Sequence, residues 1–380
     1  MPVTNLQHAD FSTIRQTVRQ AGEVLASGGL VIFPTETVYG IGASVASDRG
    51  WEALREIKGR PDQQPFTLHL PSAAAAEIYA DFSSPMLRRF VRKVFPGPVT
   101  LVVDVSDDRI AQTLAKLNLP AQAAERLYHQ NTIGLRCPDH PVALQVLGSL
   151  EAPIVVSSAN KRGEPPPQDC EAAVRSLGAA ADLVIDGGPC QYAKPSTVVR
   201  VQMRGDVPTV KVLRAGVYDE RTIYRLLRWT LLLVCSGNTC RSPMAEELAK
   251  LQLAQARGIK PDELTQAGIY VQSAGTAAGD GMPASGAAVE ALRQMGAVLE
   301  PHRSRMLNVD MLRQADVVLC MTREHRASIL RMEPSTREKV FLLDSAGDVP
   351  DPIGSGVEDY LHCARRIDQA LKERLKEYHP

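Results

Sequence analysis

Apolar positions change their spacing along the chain, and that spacing divides it. Ile14, Val18, Ala21, Val24 and Leu25 fall on one face of a helix over 11–25. Gly28 and Gly29 end it, and the unbroken apolar run at 30–33 reads as a buried strand. Similar short runs predict strands at 66–70, 99–105, 132–135, 153–156, 183–185, 196–201 and 209–213. Helical spacing at 51–57, 86–94 and 170–177 separates some of them. Strands without a steady β-α-β alternation predict a twisted mixed sheet.

The character changes over 214–228, where Asp219 is placed to cap a short helix ending at Leu227. From 229 onward the alternation is regular. Strands are predicted at 230–234, 270–273, 317–321 and 340–343, with helices at 243–256, 284–295 and 357–378. This is the pattern of a small doubly wound α/β domain with a four-stranded parallel sheet. The expected organisation is a mixed-sheet α/β domain over 8–218, a linker helix over 219–228 and the parallel-sheet domain over 229–380. A chain of 380 residues exceeds what one core usually serves, which agrees with two domains.

Composition narrows the class. With 44% hydrophobic and 23% charged residues the chain is of soluble globular type. No apolar run approaches the ~18 residues of a membrane-spanning helix, so no membrane partner is expected. The first thirty residues lack the signatures of secretory and transit peptides, giving the expectation of a cytoplasmic protein beginning at Met1. Charge is balanced, 43 basic against 43 acidic residues. Through Arg228 there are 25 basic and 23 acidic residues, so neither part carries the bulk charge of a general nucleic-acid binder. Seven scattered cysteines argue against a disulfide framework, and no Cys/His spacing suits a structural metal.

The sharpest chemistry lies in Cys235-Ser236-Gly237-Asn238-Thr239-Cys240-Arg241-Ser242, between a predicted strand and a helix. A loop wrapping from a strand end to a helix start turns successive N–H groups inward, as a nest for a tetrahedral dianion. Gly237 is expected to supply the positive φ such a turn needs. Arg241 can clamp two phosphoryl oxygens. The helix start and loop N–H groups are expected to lower the Cys235 pKa, making it a nucleophilic thiolate. Asp351, before Pro352 on a strand-to-helix loop, is placed to reach the same crevice as an acid, with Asp344 and Asp348 as nearby competitors.

This segment resembles the low-molecular-weight protein tyrosine phosphatase family. Ser273-Ala274-Gly275-Thr276, His302-Arg303-Ser304-Arg305 and Asp351-Pro352 stand in the family's order. The resemblance implies Cys235 as nucleophile, Arg241 as transition-state clamp and Asp351 as general acid on phosphoprotein, with no cofactor. It implies that Asn238 and Ser242 hold the loop and that Cys240 can form a reversible disulfide with Cys235. Thr239 replaces the bulky aliphatic residue of the tyrosine phosphatases and is similar to the protein-arginine-phosphatase branch. Ile353 stands where an aromatic often follows Asp-Pro, and Ala277-Ala278-Gly279 replaces a stretch that often carries an aromatic. Phosphoarginine is therefore favoured over phosphotyrosine.

In the first part, the segment from Phe33 to Gly42 (Phe-Pro-Thr-Glu-Thr-Val-Tyr-Gly-Ile-Gly) puts hydroxyls, a carboxylate and two glycines at a strand end. Lys58-Gly59-Arg60-Pro61 has alternate cations that could both face a polyphosphate, and Ser157-Ser158-Ala159-Asn160 ends another apolar run. Arg136, Ser196-Thr197 and Arg214 occupy comparable places. These features, with the 213–216 segment, resemble the Sua5/YrdC/TsaC family of threonylcarbamoyl-AMP synthases. The resemblance implies that L-threonine, bicarbonate and ATP give threonylcarbamoyl-AMP and pyrophosphate. Threonine would lie on Thr37, His69, Arg136, Val156 and Ser196. ATP, with Mg2+, would lie on Lys58, Arg60, Gln64, Thr132, Ser158, Asn160, Gln168 and Arg214. The implied product serves the threonylcarbamoyl modification of adenosine 37 in tRNA, alongside other proteins of that pathway. A rival expectation makes this part a double-stranded-RNA-binding module without turnover, and the second part an ordinary tyrosine phosphatase.

Overall fold

The structure is a computed structural model that describes residues 2–59, 65–204, 207–299 and 301–378. It divides into two compact units, Met1–Arg225 and Leu226–Pro380. The helix Glu220–Leu227 opens on Asp219, whose carboxylate accepts from the Thr222 N–H at 2.8 Å, as the capping pattern predicts.

The first unit contains ten strands among its described residues: β1 (Val3–Asn5), β2 (Val31–Phe33), β3 (Gly40–Ser44), β4 (Thr67–His69), β5 (Val99–Asp104), β6 (Thr132–Arg136), β7 (Ile154–Ser158), β8 (Leu183–Asp186), β9 (Thr197–Arg204) and β10 (Val207–Arg214). Their order is β1-β8-β2-β3-β7-β4-β6-β5-β9-β10, with parallel and antiparallel neighbours interleaved. The expected mixed sheet is present. Helix Phe11–Ala26 lays Ala21 and Leu25 on a cluster with Val31, Phe33, Val146, Ile154 and Ile185.

β3 was not anticipated, because Gly40-Ile41-Gly42 looks like loop. Its glycines are there for contact: a Cβ on Gly40 would come 2.7 Å from Val156 Cγ1, and one on Gly42 3.1 Å from the Phe33 ring. Register then aligns the site. Gly40 pairs with Ser158, Thr67 with Val156, and His69 with Arg136.

The second unit is a parallel sheet of β11 (Trp229–Cys235), β12 (Ile269–Gly275), β13 (Val317–Cys320) and β14 (Val340–Leu342), ordered β12-β11-β13-β14. β11 is buried at every position. Leu231, Leu233 and Cys235 join one core with helices Arg241–Arg257 and Val357–Leu375, while Leu232 and Val234 join another with Leu312 and Ile329. Period-two alternation with both faces covered explains its unbroken apolar sequence. Cys235, at the carboxyl end of a central strand, stands where doubly wound sheets gather their chemistry.

Candidate active sites

In the second unit the loop 236–240 joins β11 to helix Arg241–Arg257. Its carbonyls are claimed from outside: Thr276 N–H donates to Cys235 O at 2.9 Å and Ala277 N–H to Ser236 O at 3.0 Å. His302 Nε2 donates to Asn238 O at 2.7 Å, and Ser285 N–H to Thr239 O at 2.9 Å. With its carbonyls turned outward, the loop is left to present N–H groups on its inner side. Gly275 permits this closeness, since a Cβ there would fall on the Ser236 carbonyl.

The residue with positive φ is Asn238, at 53°, and not Gly237 as expected. Asparagine tolerates this region, and here its side chain is fully used. Nδ2 donates to Ser242 Oγ at 2.9 Å and Ser273 Oγ at 2.8 Å, and Oδ1 accepts from Arg305 N–H at 2.9 Å. Ser273 in turn donates to buried Glu246 at 2.6 Å. A Cβ on Gly237 would meet only Thr239 Oγ1, at 3.5 Å.

Cys235 Sγ lies 2.9 Å from Ser242 Oγ and accepts from Asn238 N–H at 3.3 Å. Burial is the largest influence on this thiol and raises its pKa. Hydrogen bonds from Ser242 and Asn238 and the Arg241 charge pull it down without overcoming burial. The expected net lowering is therefore corrected: the strand end that aims the thiol also buries it. Arg241 donates to Val349 O at 3.1 Å and Ser236 Oγ at 3.4 Å, and forms an ion pair with Asp351. The Arg241 side chain is 4% exposed and that of Asp351 37%, so the acid sits at the mouth of the site. Of the competing carboxylates, Asp344 pairs with Arg366 and Asp348 with Arg323. Cys240 Sγ lies 3.3 Å from the buried Tyr360 hydroxyl.

Sequence reasoning missed two further members. Tyr360 comes from the last helix, and His325 places Nε2 2.9 Å from Ser236 Oγ. His325 does carry a signal: it lies in the first turn of helix Arg323–Met332, which follows β13, the parallel neighbour of β11.

In the first unit one pocket of about 250 Å3 lies over β3, β4, β6, β7 and β9, lined by His69, Thr132, Arg136, Val156, Ser158, Ser196 and Arg214 among others. Thr37 reaches it through Arg136, whose Nη2 donates to Thr37 Oγ1 at 2.6 Å. All five threonine candidates and three of the ATP candidates are thus gathered. Arg136 is anchored from behind by buried Glu36 at 3.0 Å. Arg136 Nε and Glu36 Oε2 are buried with no hydrogen-bond partner among the described residues. Glu36 was visible in the Pro-Thr-Glu-Thr segment, but its partner lies 100 residues away.

Arg214 donates to the Ser196 carbonyl at 2.8 Å, and Ser196 Oγ lies 2.9 Å from Thr100 Oγ1. Burial, with the Arg136 charge added, lowers the Arg214 pKa. His69 is pushed down to about 3 by burial and by Arg136, against a weaker opposing pull from its contact with the Thr67 carbonyl. It is a neutral imidazole beside the Arg136 guanidinium. Gly216 lets the chain close over the site, since a Cβ there would strike the Pro195 carbonyl.

Other expected ligands are placed differently. Lys58 is buried and its ammonium donates to the carbonyls of Ser158 (2.8 Å) and Asn160, so it braces the end of β7 rather than standing ready for a polyphosphate. Asn160 Nδ2 closes its own turn on Lys161 O and Glu164 O, at 3.0 and 2.6 Å, while its Oδ1 has no partner among the described residues. Gln168 is exposed and donates to Ala193 O at 3.1 Å, outside the pocket lining. Arg60 and Gln64 lie outside the described residues. Among the described residues no cluster of three or more His, Cys, Asp or Glu is arranged to hold a metal, and no helix is long and apolar enough to cross a membrane.

Comparison with known proteins finds two matches in the order of the two units. Residues 23–216 match the Sua5/YciO/YrdC family, described as "Telomere recombination", and residues 230–379 match "Low molecular weight phosphotyrosine protein phosphatase". A threonylcarbamoyl-AMP synthase of Bacillus subtilis (strain 168) is 28% identical over 214 residues, 56% of this chain and 57% of its own length. One from Pyrococcus abyssi is 31% identical over 182 residues, 48% of this chain and 50% of its own. The chain therefore spans about half the length of these two synthases. A protein-arginine-phosphatase of Bacillus subtilis (strain 168) is 36% identical over 152 residues, 39% of this chain and 95% of that protein.

Proposed function

We propose that this chain, which belongs to the Sua5/YciO/YrdC family over residues 23–216 and to the low molecular weight phosphotyrosine protein phosphatase family over residues 230–379, is a bifunctional enzyme. Its synthase lies within 8–218 and its phosphatase within 229–380.

The phosphatase reading rests on one arrangement: the Cys235 thiol beside Ser242 in a loop whose Arg241 is ion-paired with Asp351. Cys235, as thiolate, attacks phosphorus while the bond to the leaving nitrogen or oxygen breaks and Asp351 hands that atom a proton. Arg241 holds two phosphoryl oxygens. Water, giving its proton to Asp351, then cleaves the phosphocysteine and releases inorganic phosphate. Thr239 and the kinship with a protein-arginine-phosphatase favour phosphoarginine. Turnover of phosphoarginine and phosphotyrosine proteins by the intact chain, beside Thr239→Ile, tests this. Phosphoarginine preference that collapses in the variant supports the choice, and phosphotyrosine preference in both overturns it.

The synthase reading rests on two guanidinium groups and an uncharged, buried His69 around one pocket. Arg136, with an unmet Nε donor, receives the threonine carboxylate. Thr37, His69, Val156 and Ser196 enclose the rest of threonine. Thr132, Ser158 and Arg214 face ATP, with Arg60 and Gln64 assigned there by resemblance. The threonine amine and bicarbonate form a carbamate with loss of water, and its oxygen attacks the α-phosphorus of ATP to expel pyrophosphate. Magnesium, carried in with ATP, would offset the charge of its phosphates. The carbamoyl adenylate would pass to the tRNA-modifying proteins acting at adenosine 37. Pyrophosphate release that requires threonine and bicarbonate, and that Arg136→Ala abolishes, is the expected result. RNA binding with no such release would instead favour the binding-module alternative.

A further inference from the structure

Ser236 follows the nucleophile directly, is half-buried, and differs from its loop neighbours in the company its hydroxyl keeps. Its Oγ lies 2.9 Å from His325 Nε2 and accepts from Arg241 Nη2 at 3.4 Å. A guanidinium can only donate, so one lone pair of Ser236 is already committed. The other ring nitrogen of His325 lies 2.9 Å from Thr322 Oγ1, and that oxygen also accepts from the His325 backbone N–H at 3.3 Å as the helix cap. Thr322 Oγ1 therefore already accepts from the backbone, and its hydroxyl proton has His325 Nδ1 within reach. Burial and the Arg241 charge lower the His325 pKa and favour the neutral ring; when the Thr322 hydroxyl donates to Nδ1, the ring proton stands on Nε2 and is donated to Ser236.

Both lone pairs of Ser236 are then filled, and its own O–H is left to donate. Arg241 Nη2 touches Ser236 Oγ and Asp351 together, so the hydroxyl lies at the edge of the loop shared by the phosphoryl clamp and the leaving-group acid. We propose that Ser236 donates a hydrogen bond to the phosphoryl group during transfer, and that His325 is the positioning residue that holds Ser236 in this donor orientation. The proposal rests on the phosphatase reading above. It adds a neutral donor aimed at an oxygen whose charge is redistributed in the transition state, the kind of contact that acts on turnover more than on substrate binding.

The test uses the intact chain, p-nitrophenyl phosphate and a phosphoarginine peptide, with orthovanadate as inhibitor. Ser236→Ala is expected to lower kcat about tenfold with KM changed by less than about twofold, and to weaken orthovanadate inhibition in parallel. Ser236→Thr, which keeps the hydroxyl, should retain most turnover. His325→Ala should match Ser236→Ala, the double variant should be no worse than either, and His325→Gln, which restores an N–H donor, should recover most of the loss. Wild-type kcat in Ser236→Ala overturns the proposal. So does a double variant whose loss is the product of the two single losses, or a His325→Gln no better than His325→Ala. Phosphate release by the wild type that survives Cys235→Ser, or no release at all, overturns the phosphatase reading and this inference with it. A Cys235-dependent enzyme indifferent to Ser236 overturns this inference alone.

Discussion

At the scale of single residues, Asn238 shows how much one side chain in an unusual backbone region can hold. It joins the loop to Ser242, Ser273 and Arg305 while standing at positive φ. Asn238→Ala should destabilise the second unit by about 2–4 kcal/mol, combining the left-handed penalty with buried partners left unmet. Asn238→Gly should recover only the conformational share, and denaturant titration of the two variants separates the causes. His69 gives a pH prediction with a definite sign. An unfolded histidine takes a proton near its ordinary 6.5, the folded one only at about 3, so stability falls as pH drops through that window. The slope from this group is about 1.4 kcal/mol per pH unit. Thermal melts from pH 7 to 4 should show it, and His69→Gln, which cannot take the proton, should flatten it. Cys235, Arg241 and Asp351 could be singled out in the sequence by motif alone, and the fold brings Arg241, which opens the helix after the Cys235 loop, into an ion pair with Asp351. The positive φ was assigned to Gly237 because glycine is the usual bearer, while what allows Asn238 to carry it is a set of tertiary hydrogen bonds.

At the scale of elements, Lys58 ties the last turn of helix Asp48–Lys58 to the end of β7. A lysine beside an arginine looks the same in sequence whether it is solvated, grips phosphate or braces a strand, and only burial tells them apart. Lys58→Met keeps the stem's packing and removes the charged donor. It is expected to cost about 2–3 kcal/mol and to speed amide exchange over 158–164. An unchanged melt with a raised KM for ATP would return Lys58 to phosphate binding. The same reasoning explains which elements could be read. β11 announces itself because both its faces are covered, whereas β3 was hidden by glycines chosen for close contact. Helices Asp107–Lys116 and Pro141–Leu147 were also unanticipated; they bury one and three residues respectively, too few for a strong periodic signal.

At the scale of the whole molecule, chemistry decides what the two units can exchange. The first would release a carbamoyl adenylate and pyrophosphate, and neither is a phosphomonoester or a phosphoramidate that Cys235 would attack. Each unit also has its own buried clusters and its own pocket or loop, built from residues within its bounds. Among the described residues, the pocket of the first unit is lined only by residues of that unit, and the Cys235 loop is held by residues of the second. The expected outcome is therefore a clean crossing of variants in the intact chain. Cys235→Ser should abolish phosphate release and leave threonine-dependent pyrophosphate release within about a factor of two, because changes at sites without shared partners act independently. Arg136→Ala should do the reverse. If Cys235→Ser slowed pyrophosphate release tenfold while the thermal transition of the first unit stayed in place, the two chemistries would be coupled through something other than a shared intermediate. The fusion would then be a regulatory device rather than two catalysts on one chain.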